Sequence, residues 1–114
     1  DGVIIVSTPQ EIALQDVKRG IRMFDKLKVN IIGLIDNMSH FIGDDGKKYA
    51  IFGEGGVKRT AVEFKKEFLG EIPINSEVGK QGDLGIPIVE SNPDHPISKI
   101  YFKLAEKIRK NLVI

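Results

Sequence analysis

LIDNMS, residues 34–39, closes an apolar run that begins at Ile31 and leads into a polar stretch containing Asp44-Asp45-Gly46. Such an apolar run is typical of a strand buried on both faces of a parallel sheet. Asn37 would stand where this strand leaves the sheet. Its amide can donate and accept hydrogen bonds together, which suits the edge of a purine base. Asparagine is also a common turn cap, so both interpretations of Asn37 stay open.

Two further segments leave predicted strands in the same way. The strand at residues 3–6 ends in STPQ, and the strand at residues 68–72 is broken at Pro73 and followed by Ile74 and Asn75. Because the carboxyl ends of parallel strands meet at one edge of a sheet, the three exits should open together, where ligands bind in such folds.

Apolar residues at helical spacing separate these strands. Thr8-Pro9-Gln10-Glu11 predicts a helix start, with Thr8 as N-cap and Pro9 at the first helical position, and the helix should run for about five turns. Residues 39–52 should form a hairpin excursion, and residues 85–89 an extended segment. Further helices are predicted through residues 57–64, over residues 77–81 and from residues 92–96 onward. The predicted fold is α/β, a parallel β-sheet with helices on both faces, in a single partial domain over residues 1–114.

Composition narrows the class of protein. The chain has 114 residues, 17 basic against 16 acidic side chains and no cysteine. The near-zero net charge argues against a nucleic-acid partner, and no apolar run approaches the roughly 20 residues of a membrane span. Zero cysteines exclude disulfides and thiolate ligands, and we expect a cytoplasmic protein. The chain begins at a strand without an initiator methionine, which predicts a fragment.

Other polar motifs give weaker indications. Gly53-Glu54-Gly55-Gly56 before a helix has the composition of an anion-binding loop, but a connection that lets the helix approach the sheet is the favoured interpretation. His40 and His95 are expected to be solvated in loops. No G-x-x-x-x-G-K-S/T phosphate loop, metal cluster or catalytic constellation occurs, so the sequence predicts neither catalytic residues nor a metal site.

Six segments carry a resemblance to a known family. They read VIIVSTPQE at 3–11, DVKRG at 16–20, GLIDNMS at 33–39, IFGEGG at 51–56, FLGEIP at 68–73 and GIPIV at 85–89. Their order is similar to the C-terminal half of the Mrp (ApbC-like) iron–sulfur cluster carrier ATPases, which are P-loop relatives of MinD and ParA. The resemblance covers essentially the whole chain. It implies the C-terminal half of a P-loop NTPase fold of the MinD/ParA type.

The resemblance also implies a function and a site. Family members bind ATP with Mg²⁺, act as homodimers, and assemble or deliver clusters to Fe–S client or scaffold proteins. By that mapping Asn37 contacts adenine, while Pro73 and Asn75 line the base pocket. In the family the phosphate loop, its lysine and the Mg²⁺-binding acid lie upstream of Asp1. The chain alone is therefore expected not to hydrolyse ATP.

One departure from the family concerns the cluster. The family carries C-P-x-C between its N-M-S and I-F-G segments, where this chain reads FIGDDGKKY, residues 41–49. Hard carboxylates do not replace soft thiolates as ligands of an Fe–S cluster. The alternative function is therefore a non-catalytic α/β binding or dimerisation module that lacks both phosphate loop and cluster motif.

Overall fold

A four-stranded sheet organises the chain, and its central member is the second strand in sequence. The computed structural model describes residues 1–112, so the last two residues of the predicted domain lie outside the described part. In chain order the elements are β1 Val3–Ser7, α1 Glu11–Lys26, β2 Ile31–Ile42, β3 Lys48–Tyr49, α2 Gly56–Glu63, β4 Phe68–Ile74, α3 Ser76–Asp83, α4 Ile88–Ser91 and α5 Pro96–Asn111.

Strand β2 pairs in parallel with β1 on one side and with β4 on the other. In this register Val6 lies opposite Ile35, and Asn37 lies opposite Ile72. The predicted parallel β-α-β arrangement is confirmed. The sheet is mixed rather than purely parallel, because the short strand β3 pairs antiparallel with the end of β2.

The prediction that β2 ends before Asn37 was wrong. The strand continues to Ile42, with Met38 at a φ of 56° and a register shift against β4 between Asn37 and Phe41. The predicted hairpin excursion supplies the reason: Phe41 pairs with Tyr49 of β3, so the strand resumes beyond the irregularity at Met38. Asn37 therefore lies within a strand.

Strand β4 also runs further than predicted, through Pro73 to Ile74. Proline removes one ladder donor, but within residues 1–112 the only strand that pairs with β4 is β2. A proline is tolerated at such an edge.

Two expectations about helices were wrong. Helix α1 begins at Glu11 with Gln10 as N-cap, and the Thr8 hydroxyl bonds the Gln10 side chain at 3.1 Å instead of a backbone N–H. Residues 88–91 form the short helix α4 instead of continuing the extended segment. The Ser98 hydroxyl anchors α4 by donating to the Ile88 and Asn92 carbonyls at 3.1 and 2.7 Å.

Helices cover both faces of the sheet, as predicted. Helices α1 and α2 pack on one face, around a buried cluster that comprises Leu14, Val17, Ile21, Ile31, Leu34, Val57 and Ala61. On the other face, the buried residues of β2, β4, α4 and α5 are Ile35, Leu69, Ile72, Ile88, Ile97 and Leu104. No helix within the described part of the chain is long and apolar enough to cross a membrane.

Close packing at β2 yields a test of this arrangement. A Cβ atom on Gly33 would lie 2.5 Å from Leu69 Cγ and 3.0 Å from the Glu67 carbonyl oxygen, whereas a Cβ on Gly20 of α1 meets no atom within 4 Å. Gly33→Ala should lower the free energy of unfolding by about 1–3 kcal/mol through overpacking. Gly20→Ala should raise it by about 0.5–1 kcal/mol through helix propensity. Urea denaturation measures both, and equal effects would contradict the packing.

Candidate site at the carboxyl edge of the sheet

Asn37 lies half-buried on the α5 face of the sheet. It borders a cavity of about 400 Å³ that is otherwise mainly apolar, with Ile35 and Ile72 from the strands and Tyr101 and Leu104 from α5 among its lining residues. An amide in an apolar recess can supply hydrogen-bond specificity to a flat ring that the apolar walls contact.

Pro73 and Asn75 border a different cavity, of about 510 Å³, formed by the ends of β2 and β4 and the start of α5. The Asn75 side chain is used structurally, because its Oδ1 accepts the Glu77 N–H at 2.9 Å and caps α3. The structure thus brings Pro73 and Asn75 together and leaves Asn37 outside their cavity. The strand register still places Asn37 opposite Ile72, the residue before Pro73. The assignment of these three residues to adenine stays a prediction.

A buried polar cluster that the sequence analysis missed lies at the same end of β2. Asp36 has only 3% of its surface exposed, and its Oδ1 has no hydrogen-bond partner. Asp36 borders a cavity together with Glu54 and Gly55, which precede α2. One sequence signal was available: Asp36 directly follows the buried run 31–35, and a strand that continued with helices on both faces would point Asp36 and Asn37 to opposite covered faces.

His40 belongs to this cluster, so the expectation that it is solvated was wrong. The His40 ring is buried, its Nδ1 lies 2.8 Å from the Ser39 hydroxyl, and the same atom is 3.7 Å from Glu71 Oε1. Lys48 Nζ lies 3.3 Å from that Glu71 oxygen. The other histidine, His95, caps α5 by accepting the Ile97 N–H at 3.0 Å. The extension of β2 past Asn37, which the sequence did not predict, is what buries His40.

The pKa values in the cluster follow its burial. Desolvation, with a smaller contribution from the nearby Glu71 charge, raises the pKa of Asp36 to about 6. Burial, and next the Lys48 ammonium, lowers the pKa of His40 below its ordinary value. Both shifts favour the neutral forms, as expected where a charge has lost water without gaining a partner.

The glycines at the start of α2 serve close packing, but the elements that they approach are the turn after β1 and helix α1 rather than the sheet. A Cβ atom on Gly53 would lie 2.9 Å from the Pro9 carbonyl oxygen, and one on Gly56 would lie 2.6 Å from Leu14 Cδ1. The loop is therefore pressed against the turn after β1, and the approach requires residues without side chains.

The segment at the family's cluster motif forms the turn of the β2–β3 hairpin. Asp45 holds this turn by accepting the Lys47 N–H at 2.9 Å and the Tyr49 hydroxyl. Both oxygens of Asp45 are engaged in the turn, and the sequence has no cysteine. Within residues 1–112 no group of three or more His, Asp or Glu side chains is placed to hold a metal ion. The hairpin does not fit an Fe–S cluster.

The chain matches a known protein family over most of its length. The family described as ParA, NUBPL iron-transfer P-loop NTPase, matches residues 1–109. The chain belongs to this family. It is 44% identical over 112 residues to the Arabidopsis thaliana iron–sulfur protein required for NADH dehydrogenase, mitochondrial, and these residues are 97% of this chain and 36% of that protein. It is 43% identical over 114 residues to the iron–sulfur cluster transfer protein NUBPL of Dictyostelium discoideum, covering 99% of this chain and 35% of that one.

Solved structures agree with the fold. The nucleotide-binding protein from Archaeoglobus fulgidus in complex with ADP superposes with a TM-score of 0.63 at 40% identity, over 74% of this chain and 35% of that one. The cell-division ATPase MinD of Pyrococcus furiosus superposes with a TM-score of 0.73 at 22% identity, over 96% and 42%. The predicted Mrp-family resemblance and MinD-like fold are confirmed. The chain spans about a third of the length of the relatives that it matches.

Asp36 makes the stability of this NUBPL-family chain depend on pH. A carboxyl group with a raised pKa binds its proton more tightly in the native than in the unfolded state, so its cost to stability grows as the pH rises from about 4 through 6. Asp36→Asn should therefore raise the free energy of unfolding by about 1–3 kcal/mol at pH 7, and the difference should vanish near pH 4.

Denaturant titrations at pH 4, 5.5 and 7, in buffers with a chelator, measure this difference. His40 makes an opposing contribution: because its pKa is lowered in the native state, stability falls as the pH drops below the ordinary pKa of histidine. The wild type and the variant share this contribution, so it cancels in their difference. Asp44→Asn at the exposed hairpin turn serves as the control. A loss of stability in Asp36→Asn at pH 7, or a difference independent of pH, would contradict the assignment.

Proposed function

We propose that this chain forms the base-binding side of the nucleotide site in an ATP-binding NUBPL/Mrp-type protein that assembles or transfers iron–sulfur clusters. One observation carries the proposal: β2 and β4 are adjacent and parallel, and their register sets Asn37 opposite Ile72, the residue before Pro73, at the carboxyl edge. In open α/β sheets ligands bind outside the carboxyl ends of the strands. The Archaeoglobus relative, which shares this part of the fold, is described as a complex with ADP.

The chain contributes recognition rather than chemistry to this site. Asn37 would hydrogen-bond the adenine edge from within β2. The residues that line the cavity beside Pro73 would contact the faces of the adenine ring. Asn75 would line the base pocket without accepting a hydrogen bond from the base at Oδ1, because that atom already caps α3. Phosphoryl transfer depends on a phosphate cradle, a lysine and Mg²⁺ ligands. The sequence contains no phosphate-loop motif, so ATP with Mg²⁺ and its hydrolysis belong to the longer parent protein.

The iron–sulfur cluster enters this proposal as cargo. The names of the relatives describe iron–sulfur carrier and transfer proteins. Since this chain has no thiolate, its hairpin cannot hold a cluster as the C-P-x-C motif does in the family. We infer that Fe–S client or scaffold proteins, or other parts of the parent, supply the cluster ligands.

A homodimer is the proposed assembly. Strand β1 pairs only with β2 among the strands of residues 1–112, and Val6 on it is 55% exposed. An unpaired strand edge with apolar side chains favours association with another chain. We expect the chain to associate through this edge or the neighbouring helical face.

The cellular compartment of the protein stays a prediction: we propose the cytoplasm, while the Arabidopsis relative is named as mitochondrial.

Asn37→Ala in the parent protein tests the nucleotide site. Loss of the hydrogen bonds to the base should weaken ATP binding by about 1–3 kcal/mol, which is roughly 5- to 150-fold in Kd. The wild type should bind GTP more weakly than ATP, because guanine presents a different hydrogen-bonding edge. The affinity for GTP should change little in the variant. Equilibrium titration with a fluorescent ATP analogue measures the affinities.

Asn111→Ala is the matched control, because Asn111 sits at the exposed end of α5 and bonds only the Lys107 carbonyl within the described residues. Unchanged affinity and base preference in Asn37→Ala would leave Asn37 as a structural residue of β2 and remove the main support for the proposal.

A further inference from the structure

A small polar cavity of about 250 Å³ lies between the second half of β2, strand β3 and the loop before α2. It shares no lining residue with the cavity beside Asn37, and it shares His40 and Glu71 with the cavity beside Pro73. Its charged lining consists of Asp36, Glu54 and Glu71 with a single ammonium group, that of Lys48. With the three carboxylates ionised, the lining carries a net charge of minus two, so the cavity attracts cations and repels anions.

Asp36 is the member of this lining whose bonding is incomplete. It is 3% exposed, and its Oδ1 is sealed from solvent without a hydrogen-bond partner. A buried carboxylate is costly unless it is paired, hydrogen-bonded or bound to a metal ion. Lys48 is not its partner, because the Lys48 ammonium lies 3.3 Å from Glu71. His40 is not its partner either, since its Nδ1 faces the Ser39 hydroxyl at 2.8 Å.

The side chains present determine which cation fits. No three carboxylate or histidine side chains in the described residues 1–112 converge on one point, so a bare ion could not be fully coordinated by protein. Mg²⁺ commonly keeps several waters and binds through one or two carboxylates. At about 30 Å³ per water, a 250 Å³ cavity has room for about eight waters, enough for an ion with its first shell. Soft metals are disfavoured because the lining has no sulfur ligand.

We propose that this cavity binds one hydrated divalent cation of the Mg²⁺ and Mn²⁺ class, with Asp36 as its carboxylate ligand and with Glu54 and Glu71 bonding its waters. The ion supplies the partner that Asp36 lacks and draws β2 and the loop before α2 together. The proposal does not depend on nucleotide binding, because its carboxylate ligand, Asp36, borders neither cavity of the proposed base site.

Mn²⁺ is the probe, because the free aqueous ion gives an electron paramagnetic resonance signal that is lost on binding. Titration of the chain without nucleotide should show one site. Asp36→Asn should weaken binding at least tenfold. Lys48→Met should tighten it several-fold, because it removes the one positive charge of the lining and frees Glu71. Mg²⁺ should compete for the same site.

Asp44→Asn is the control, an exposed carboxylate of the hairpin turn that does not border the cavity, and its affinity should equal that of the wild type. Circular dichroism checks the fold of each variant. If Asp36→Asn does not fold, the affinity of Lys48→Met for Mn²⁺ tests the proposal instead, because the Lys48 side chain is half-exposed and its replacement should be tolerated. Absence of Mn²⁺ binding at millimolar concentration, full binding by a folded Asp36→Asn, or weaker binding by Lys48→Met would each overturn the proposal.

Discussion

The burial of β2 on both faces is the constraint on which the rest of the structure depends. Because β2 pairs with β1 and β4 and is covered by helices above and below, successive residues must enter opposite cores. Leu34 packs against α1 and α2, while Ile35 packs against α4 and α5. At the next pair the same alternation separates two polar residues: Asp36 borders the cavity beside the α2 loop, and Asn37 the cavity beside α5. One strand thereby divides the carboxyl edge into two cavities with different linings, one acidic and one mainly apolar.

The sequence predicted the parts of the fold that local pattern determines. The apolar runs marked three parallel strands, and helical spacing marked the helices on both faces. The boundaries failed where long-range pairing decided them. Strand β2 continued past Asn37 because β3 pairs with its end, and β4 continued through Pro73 because an edge position tolerates proline. Neither cause can be seen from residues near the boundary.

The candidate site was predictable only in part, for the same reason. Asn37, Pro73 and Asn75 were proposed from strand exits and from family resemblance, and the structure places Pro73 and Asn75 at one cavity and Asn37 at another. His40 was placed in a loop because the strand extension that buries it depends on the hairpin. The cluster of Asp36, His40 and Glu71 joins residues up to 35 positions apart through strand pairing, and no linear motif marks it. The absence of cysteine, by contrast, is a sequence fact, and it separates this chain's hairpin from the family's cluster chemistry.

The central claim is that the carboxyl ends of β2 and β4 together form the base side of a nucleotide site. Photolabelling of the parent protein with 8-azido-ATP, followed by peptide mapping, tests this most directly because the reactive group sits on the base. The account predicts labelled peptides that contain residues near 37 and 72–75, with protection by excess ATP. ATP-protected labelling confined to peptides outside this chain would contradict it.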